Sequence, residues 1–293
     1  MHTSSAVTAL TIAGSDSGGG AGLQADLKIF AAMGVHGYSA VTGVTAQNSR
    51  MIERVVAMAP ALVAAQIETV AAEYNPHSIK TGALFNAAIV RSVVRTIERL
   101  DLPAPIVDPV LVSTSGRPLL DSAGETALRT RLIPIAAIVT PNIPEAERLS
   151  RIVIDSEDAL QAAAIAIHRG GARTVLIKGG HPLSGSSHVG KRGEVVDLFY
   201  DGSRFIRIAA RRIADLDLHG GGCVLSAAIA ARMALGDTII EAVRAARLIM
   251  DRAVAGRIRL GAGRDIIGEL TAPPVQRAAA RKGSGAIRKR APR

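Results

Sequence analysis

Short apolar runs rich in β-branched residues alternate along this chain with longer stretches whose apolar positions recur at helical spacing. Residues 7–13 read as a buried strand, closed by Gly14-Ser15-Asp16-Ser17-Gly18-Gly19-Gly20. A helix over 21–32 follows, with Leu23, Leu27 and Phe30 on one side. The alternation continues as strand 38–44, helix 61–73, strand 78–81, helix 87–100 and strand 105–108. After a long polar loop come helix 122–132, strand 136–140, helices over 144–149 and 156–169, and strand 174–178. Ser122 and Glu125 have the spacing of a capping box. The pattern then changes. Stretches 194–200 and 204–209 flank Asp201-Gly202, a hairpin turn signal. Helices over 222–235 and 238–258 close the sequence of elements.

Such alternation predicts an α/β fold of three α/β/α layers. The central sheet is mainly parallel, with a late antiparallel hairpin at its edge. With no repeat and no internal linker, residues 1–275 are expected to form one domain, followed by a basic, disordered tail over 276–293. Ligands of such sheets sit at the carboxyl ends of the strands. The polar and Gly-rich segments 14–22, 45–50, 80–84, 108–116, 140–145 and 178–181 lie at those ends, and 219–223 precedes a helix. One composite cleft is expected.

Composition narrows the class. The chain is 48% hydrophobic and 20% charged, which excludes a disordered protein. With no Trp, 3 Tyr and 4 Phe, the core must be aliphatic. The single Cys excludes an internal disulfide framework and a multi-Cys zinc site, and fits a reducing compartment. No apolar run approaches the ~18 residues of a membrane span, and no basic segment precedes an apolar leader. A cytoplasmic protein that does not enter the membrane is expected. The net charge of +10 resembles a nucleic-acid signal until it is located. Seven of those charges, from Arg277 to Arg293, lie in the tail, leaving +3 for the rest. A solvated tail and few aromatic platforms argue against nucleic acid.

Two motifs are rejected. Gly20-Ala21-Gly22-Leu23-Gln24-Ala25 resembles a dinucleotide fingerprint, but no Asp or Glu lies between Asp26 and Glu53 to hold a ribose. The segment 185–191 resembles a Walker A loop, but Arg192 stands where a hydroxyl is required, and a strand follows instead of a helix. The stretch 182–193 reads as a mobile loop.

Four segments carry chemistry. His219-Gly220-Gly221-Gly222-Cys223 opens a helix, so its backbone N–H groups and positive dipole end form an anion site. A Cys at a helix start is expected to have a lowered pKa and to act as base or nucleophile; a small packed Cys is the alternative. The glycines of 14–22 let a ligand press against backbone, while Asp26 either contacts it or complements the helix dipole. Asp108 and Glu145, each at or past a strand end, suit a shared magnesium ion, or Glu145 favours its helix start. Lys178 beside Gly179-Gly180 suits a phosphate, or is a solvated strand end.

In their joint order these motifs resemble the bacterial hydroxymethylpyrimidine/phosphomethylpyrimidine kinases of thiamine biosynthesis, which have a ribokinase-like fold. The resemblance rests on 13–16 and 19–28, Ala46-Gln47-Asn48, Lys80-Thr81-Gly82, 107–110, 140–146, 178–181, and His219-Gly220 with Gly222-Cys223. It covers about residues 7–263 and implies an ATP- and Mg2+-dependent kinase of a small pyrimidine, acting as a homodimer. By that resemblance Gly14, Ala21, Asp26, Gln47, Ala83 and Val110 bind substrate, and Asn142 and Lys178 contact nucleotide phosphates. Asp108 and Glu145 organise Mg2+, Gly220, Gly221 and Gly222 stabilise the transferred phosphoryl, and Cys223 is the base. A Gln amide, with donor and acceptor side by side, can pair with an aminopyrimidine edge. Three departures stand out. Gly221 replaces the family's usual Thr, Ala83 its usual Met, and Gly261-Ala262-Gly263-Arg264-Asp265 its Gly-x-Gly-Pro-like ending. The alternatives are a pyridoxal or pyridoxine kinase on the same fold, admitted by the room at Ala83, and a non-catalytic pyrimidine-binding homologue.

Overall fold

The computed structural model describes residues 6–180, 194–211, 218–259 and 263–268. The basic tail, the loop 182–193 with its rejected Walker-like segment, His181 and residues 261–262 lie outside the described residues.

A nine-stranded sheet forms the centre, in the order β3-β2-β1-β4-β5-β6-β7-β8-β9. Its strands are β1 (Thr8–Asp16), β2 (His36–Gln47), β3 (Ile52–Ala57), β4 (Ser78–Thr81), β5 (Ile106–Val107), β6 (Ile138–Val139), β7 (Val175–Ile177), β8 (Glu194–Tyr200) and β9 (Phe205–Arg211). From β2 to β7 every neighbouring pair is parallel. The expected late hairpin is present: β8 and β9 add antiparallel to the β7 edge. Parallel strands have helices on both faces and so lack an alternating pattern. Accordingly β4, although it contains a Lys, is buried along its whole length.

The helices divide between two aliphatic cores. On one face, α2 (Pro60–Tyr74), α3 (Ala87–Arg99), α4 (Ser122–Ala127), α5 (Ile143–Ser150) and α6 (Glu157–Arg169) pack Val63, Ile89, Ala127, Ala146 and Leu160 against Leu10, Val107 and Ile177. On the other, α1 (Gly22–Ala32), α7 (Gly221–Ala234) and α8 (Ile239–Ala255) pack Ile29, Ala228 and Val243 against Ala9, Ile106 and Leu176. A small second sheet, β10 (Leu218–His219), β12 (Asp265–Ile266) and β11 (Ile258–Arg259), lies beside the start of α7.

Three expectations are corrected. Ser122 does not cap its helix: Asp121 does, accepting from the Gly124 N–H, so the Ser122–Glu125 capping box does not form. The α-helix there is also shorter than 122–132, passing into a π turn at Leu128–Leu132. At the opposite edge, β3 forms an antiparallel hairpin with β2 that the sequence reading does not contain. Its turn is an Asn48 turn, in which Oδ1 accepts from the N–H groups of Arg50 (2.9 Å) and Met51 (3.1 Å).

Candidate functional site

The strand ends do converge. The carboxyl ends of β1, β2, β4, β5, β6 and β7, with the start of α7, line one cavity of about 640 Å³. Gly14, Ala21, Gln47, Ala83 and Val110 line it, as do Asn142, Lys178, Asp108, Glu145, Gly220, Gly221, Gly222 and Cys223. Asp26 does not. It is wholly buried on α1 beneath the cavity, where both its oxygens accept from Lys80 Nζ (2.9 and 2.8 Å) and one from Thr11 Oγ1 (2.6 Å).

The anion loop is built by backbone conformation. Gly220, the N-cap of α7, has φ +83°, and a Cβ there would overlap the Gly20 carbonyl oxygen. Only glycine allows both the left-handed turn and the close approach. No side chain caps α7, so its first N–H groups remain available to a ligand. Gly222 brings the loop against the charged end of the cavity, since a Cβ at that position would stand 3.0 Å from Lys178 Nζ.

At that charged end Lys178 Nζ donates to Asp108 Oδ1 (2.9 Å). Thr140 Oγ1 donates to the same oxygen and Ser226 Oγ to Oδ2, each at 3.3 Å. Burial would raise the Asp108 carboxyl, but Lys178 and Lys80 outweigh it and hold the group below its usual range. Across from it, Asn142 and Glu145 cap α5 reciprocally. Asn142 Oδ1 accepts from the Glu145 N–H, and Glu145 Oε2 from the Asn142 N–H, both at 2.8 Å. Burial first, and Asp108 as a like charge, push the Glu145 carboxyl up to about 7 against the pull of Lys178.

Cys223 is half-buried in the first turn of α7. The lowered thiol pKa expected of a helix start is not found. Burial pushes the thiol up to about 11, and neighbouring Asp108 and Asp26 add to this; Lys80 opposes them without prevailing. The helix dipole is weaker than the loss of water around a thiolate. At neutral pH the group is a thiol.

Several residues of the site carry no role that the sequence motifs assign. Lys80, in sequence one member of the Lys80-Thr81-Gly82 motif, is fully buried and charged, its ammonium held by Asp26 against the cost of burial. A lysine inside a short strand of a parallel sheet, which helices cover on both faces, is the signal. Phe85, in the left-handed region at φ 63°, lines the cavity, and a Cβ on Gly14 would meet its ring at 2.8 Å. Asp197 on β8 accepts from the Gly179 N–H (2.9 Å) and from Arg247 of α8 (3.2 Å), and so holds the turn after Lys178. Nothing local in the sequence reveals this contact, because it joins distant elements.

The comparisons agree with this fold. The hydroxymethylpyrimidine/phosphomethylpyrimidine kinase of Synechococcus elongatus is 45% identical over 89% of this chain and 96% of its own length. The thiamine biosynthesis bifunctional protein ThiED of Geobacter sulfurreducens is 40% identical over 90% of the chain, which spans only 52% of that longer protein. Among solved structures, a Bacillus subtilis pyridoxal kinase in complex with ADP superposes with TM-score 0.81 at 33% identity, covering 90% of this chain and 98% of its own. A phosphomethylpyrimidine kinase from Clostridium difficile superposes with TM-score 0.73 at 36% identity, covering 84% and 99%. The phosphomethylpyrimidine kinase family matches residues 16–268, nearly all of the α/β/α fold and every residue that lines the cavity from Asp16 onward, and the chain belongs to that family.

Proposed function

We propose that this protein transfers the γ-phosphoryl group of ATP to the hydroxyl of 4-amino-5-hydroxymethyl-2-methylpyrimidine, and then to the resulting monophosphate, for thiamine biosynthesis. One observation carries this reading: the uncapped Gly220–Gly222 turn adjoins the Lys178–Asp108 pair in a cavity that Gly14 and Gln47 also line. Phosphoryl transfer needs positioning and charge stabilisation more than covalent chemistry, and this arrangement supplies both. Use of ATP is supported by related kinases solved with ADP and with AMP-PCP.

In this reading Lys178 and Asn142 hold the nucleotide phosphates, and the N–H groups of Gly220–Cys223 receive the charge that develops on the transferred group. Gln47, Ala21 and the backbone at Gly14 hold the ring. The thiolate form of Cys223, a small fraction at neutral pH, takes the hydroxyl proton and becomes the thiol; in a loose transition state that proton leaves late, when the hydroxyl has become acidic. Asp26 acts at one remove, fixing Lys80 beneath the floor. Asp108 and Glu145 would hold a magnesium ion: the Glu145 carboxyl is raised by burial and by Asp108 as a like charge, and a bound cation would offset both. When bound, Mg2+ would neutralise phosphate charge.

Ala83 and the pyridoxal kinases among the structural relatives favour pyridoxal as a second substrate. Incubation with Mg-ATP and hydroxymethylpyrimidine, followed by mass, tests the proposal. Diphosphate is expected. Monophosphate alone would remove the second step. Turnover of pyridoxal with none of the pyrimidine would replace the substrate, and ligand binding without turnover of either would remove the kinase reading.

A further inference from the structure

His219 Nε2 lies 3.0 Å from Asp16 Oδ2 and 3.0 Å from the terminal amide of Gln47, with the amide nitrogen placed toward the ring. One ring nitrogen cannot satisfy both groups in that arrangement. Carrying a proton, it donates to Asp16 but has no lone pair for an NH2. Without a proton, it accepts from the amide but sets a lone pair against a carboxylate.

Asp16 decides between them. It is only 4% exposed, and it accepts from the N–H groups of Gly18 (2.8 Å), Gly20 (3.1 Å) and Ala21 (2.9 Å). Burial would raise its carboxyl, yet the bond to His219 and those of Gly18 and Ala21 hold it below the usual value. An ionised acceptor at 3.0 Å requires the proton on Nε2. The Gln47 atom facing that proton must then be oxygen, since the two ends of an amide are assigned from their partners. The far end of the amide agrees. It lies 3.1 Å from Thr45 Oγ1, whose single proton is taken by the Ser15 carbonyl at 3.0 Å. Thr45 is therefore free to accept from the NH2. A half-turn of the amide removes the clash of donor against donor: the Nε2 proton is then shared between Asp16 and the Gln47 oxygen, and the NH2 donates to Thr45. One lone pair and one N–H of Gln47 are left for the cavity that it lines.

We propose that Asp16 and His219 form a positioning pair that fixes the Gln47 amide with its oxygen toward His219 and its NH2 toward Thr45, and so selects rings that present an amino group beside a ring nitrogen. The selectivity rests on the kinase reading above; the hydrogen-bond network does not. His219 also leads directly into Gly220, so the pair ties the ring-binding loop 16–21 to the anion loop.

Two measurements test this. In the wild-type protein, 15N–1H correlation of the imidazole should show Nε2 protonated; an unprotonated Nε2 would overturn the network. In the second, the kcat/KM ratio for the aminopyrimidine alcohol over its 4-oxo analogue is followed. His219→Leu should lower that ratio by about tenfold, Gln47→Ala by a similar factor, and the double variant by no more than either. His219→Gln, which retains a donor near Nε2, should keep the ratio within about threefold. A drop in kcat for His219→Leu with the ratio unchanged would reduce His219 to a purely structural part and sink the proposed selectivity. If the wild type phosphorylates no pyrimidine, the kinase reading fails and with it the selectivity, while the ring-nitrogen measurement still decides the network.

Discussion

Cys223 and Glu145 show how far burial moves groups whose residue type alone suggests something else. With its thiol pushed up to about 11, Cys223 is ionised to about one part in ten thousand at pH 7. Proton removal by the thiolate therefore makes log kcat/KM rise with pH at near unit slope between pH 7 and 9. Cys223→Ser should flatten that profile and lower kcat by roughly 10²–10⁴-fold with the melting temperature little changed. A wild-type profile that is already flat would exclude the thiolate as base. Glu145, raised to about 7 from the usual 4.5 of a glutamate, has the opposite consequence for stability. A carboxyl whose folded pKa is raised contributes stability below about pH 4.5, and this is lost as pH rises through about 7. Cation binding needs the ionised form, so the thermal stabilisation conferred by Mg-ATP should grow from pH 6 to 8. Glu145→Gln should remove both dependences; stabilisation that is independent of pH in the wild type would argue against Glu145 as a ligand. The positions of these residues were legible from strand ends and glycine spacing. Their protonation was not, because burial is set by elements distant in sequence.

At the scale of elements, the sequence carried the alternation of strands and helices and the β8–β9 hairpin, since Asp201-Gly202 is a local turn signal with a local cause. It did not carry β3, an edge strand that places Glu53 and Arg54 in solvent and turns through the side chain of Asn48 instead of an Asn-Gly pair. Nor did it carry the small β10-β12-β11 sheet, whose strands are two residues each and pair elements distant in sequence. The anion loop lies between these cases: its glycines were visible, but their separate tasks were not. Gly220 holds a left-handed turn against the Gly20 carbonyl, so Gly220→Ala should destabilise the protein by about 1–3 kcal/mol and abolish phosphoryl transfer. Gly221 has neither constraint. A Cβ there meets only Met250 Cε at 3.1 Å and Leu218 Cδ2 at 3.2 Å, both flexible side-chain ends. Gly221→Thr, the residue that relatives resembling this chain usually carry, should fold normally and retain or raise kcat. Inactivation by this change, seen in the same assay, would mean that the loop depends on glycine at all three positions.

Across the whole molecule, the cavity floor is a junction of layers. Asp26 comes from α1 on one face, and Lys80 from β4 in the middle of the sheet; the two meet with no exposure to solvent. The pair stands under the cavity that Lys80 helps to line, and both groups influence Cys223. A buried ion pair adds little net stability, but removing one partner strands the other charge in a dry interior. Lys80→Met leaves the Asp26 carboxylate with Thr11 as its remaining side-chain donor, and should destabilise the protein by about 3–5 kcal/mol. Asp26→Asn keeps the shape of the side chain but takes from the Lys80 ammonium its hydrogen-bonded counter-charge, leaving only the more distant influence of Asp108, with a loss of the same order. Combining Lys80→Met with Asp26→Leu removes both charges, so the double variant should recover much of that loss. Its activity should not recover, because no positive charge would remain at Lys80 to oppose the upward shift of the Cys223 thiol. Denaturant midpoints and kcat measured on the same four proteins separate these effects. If stability and activity were restored together, the pair would be a packing element alone; recovery of stability without activity is the result expected of a charge kept under the floor for the chemistry above it.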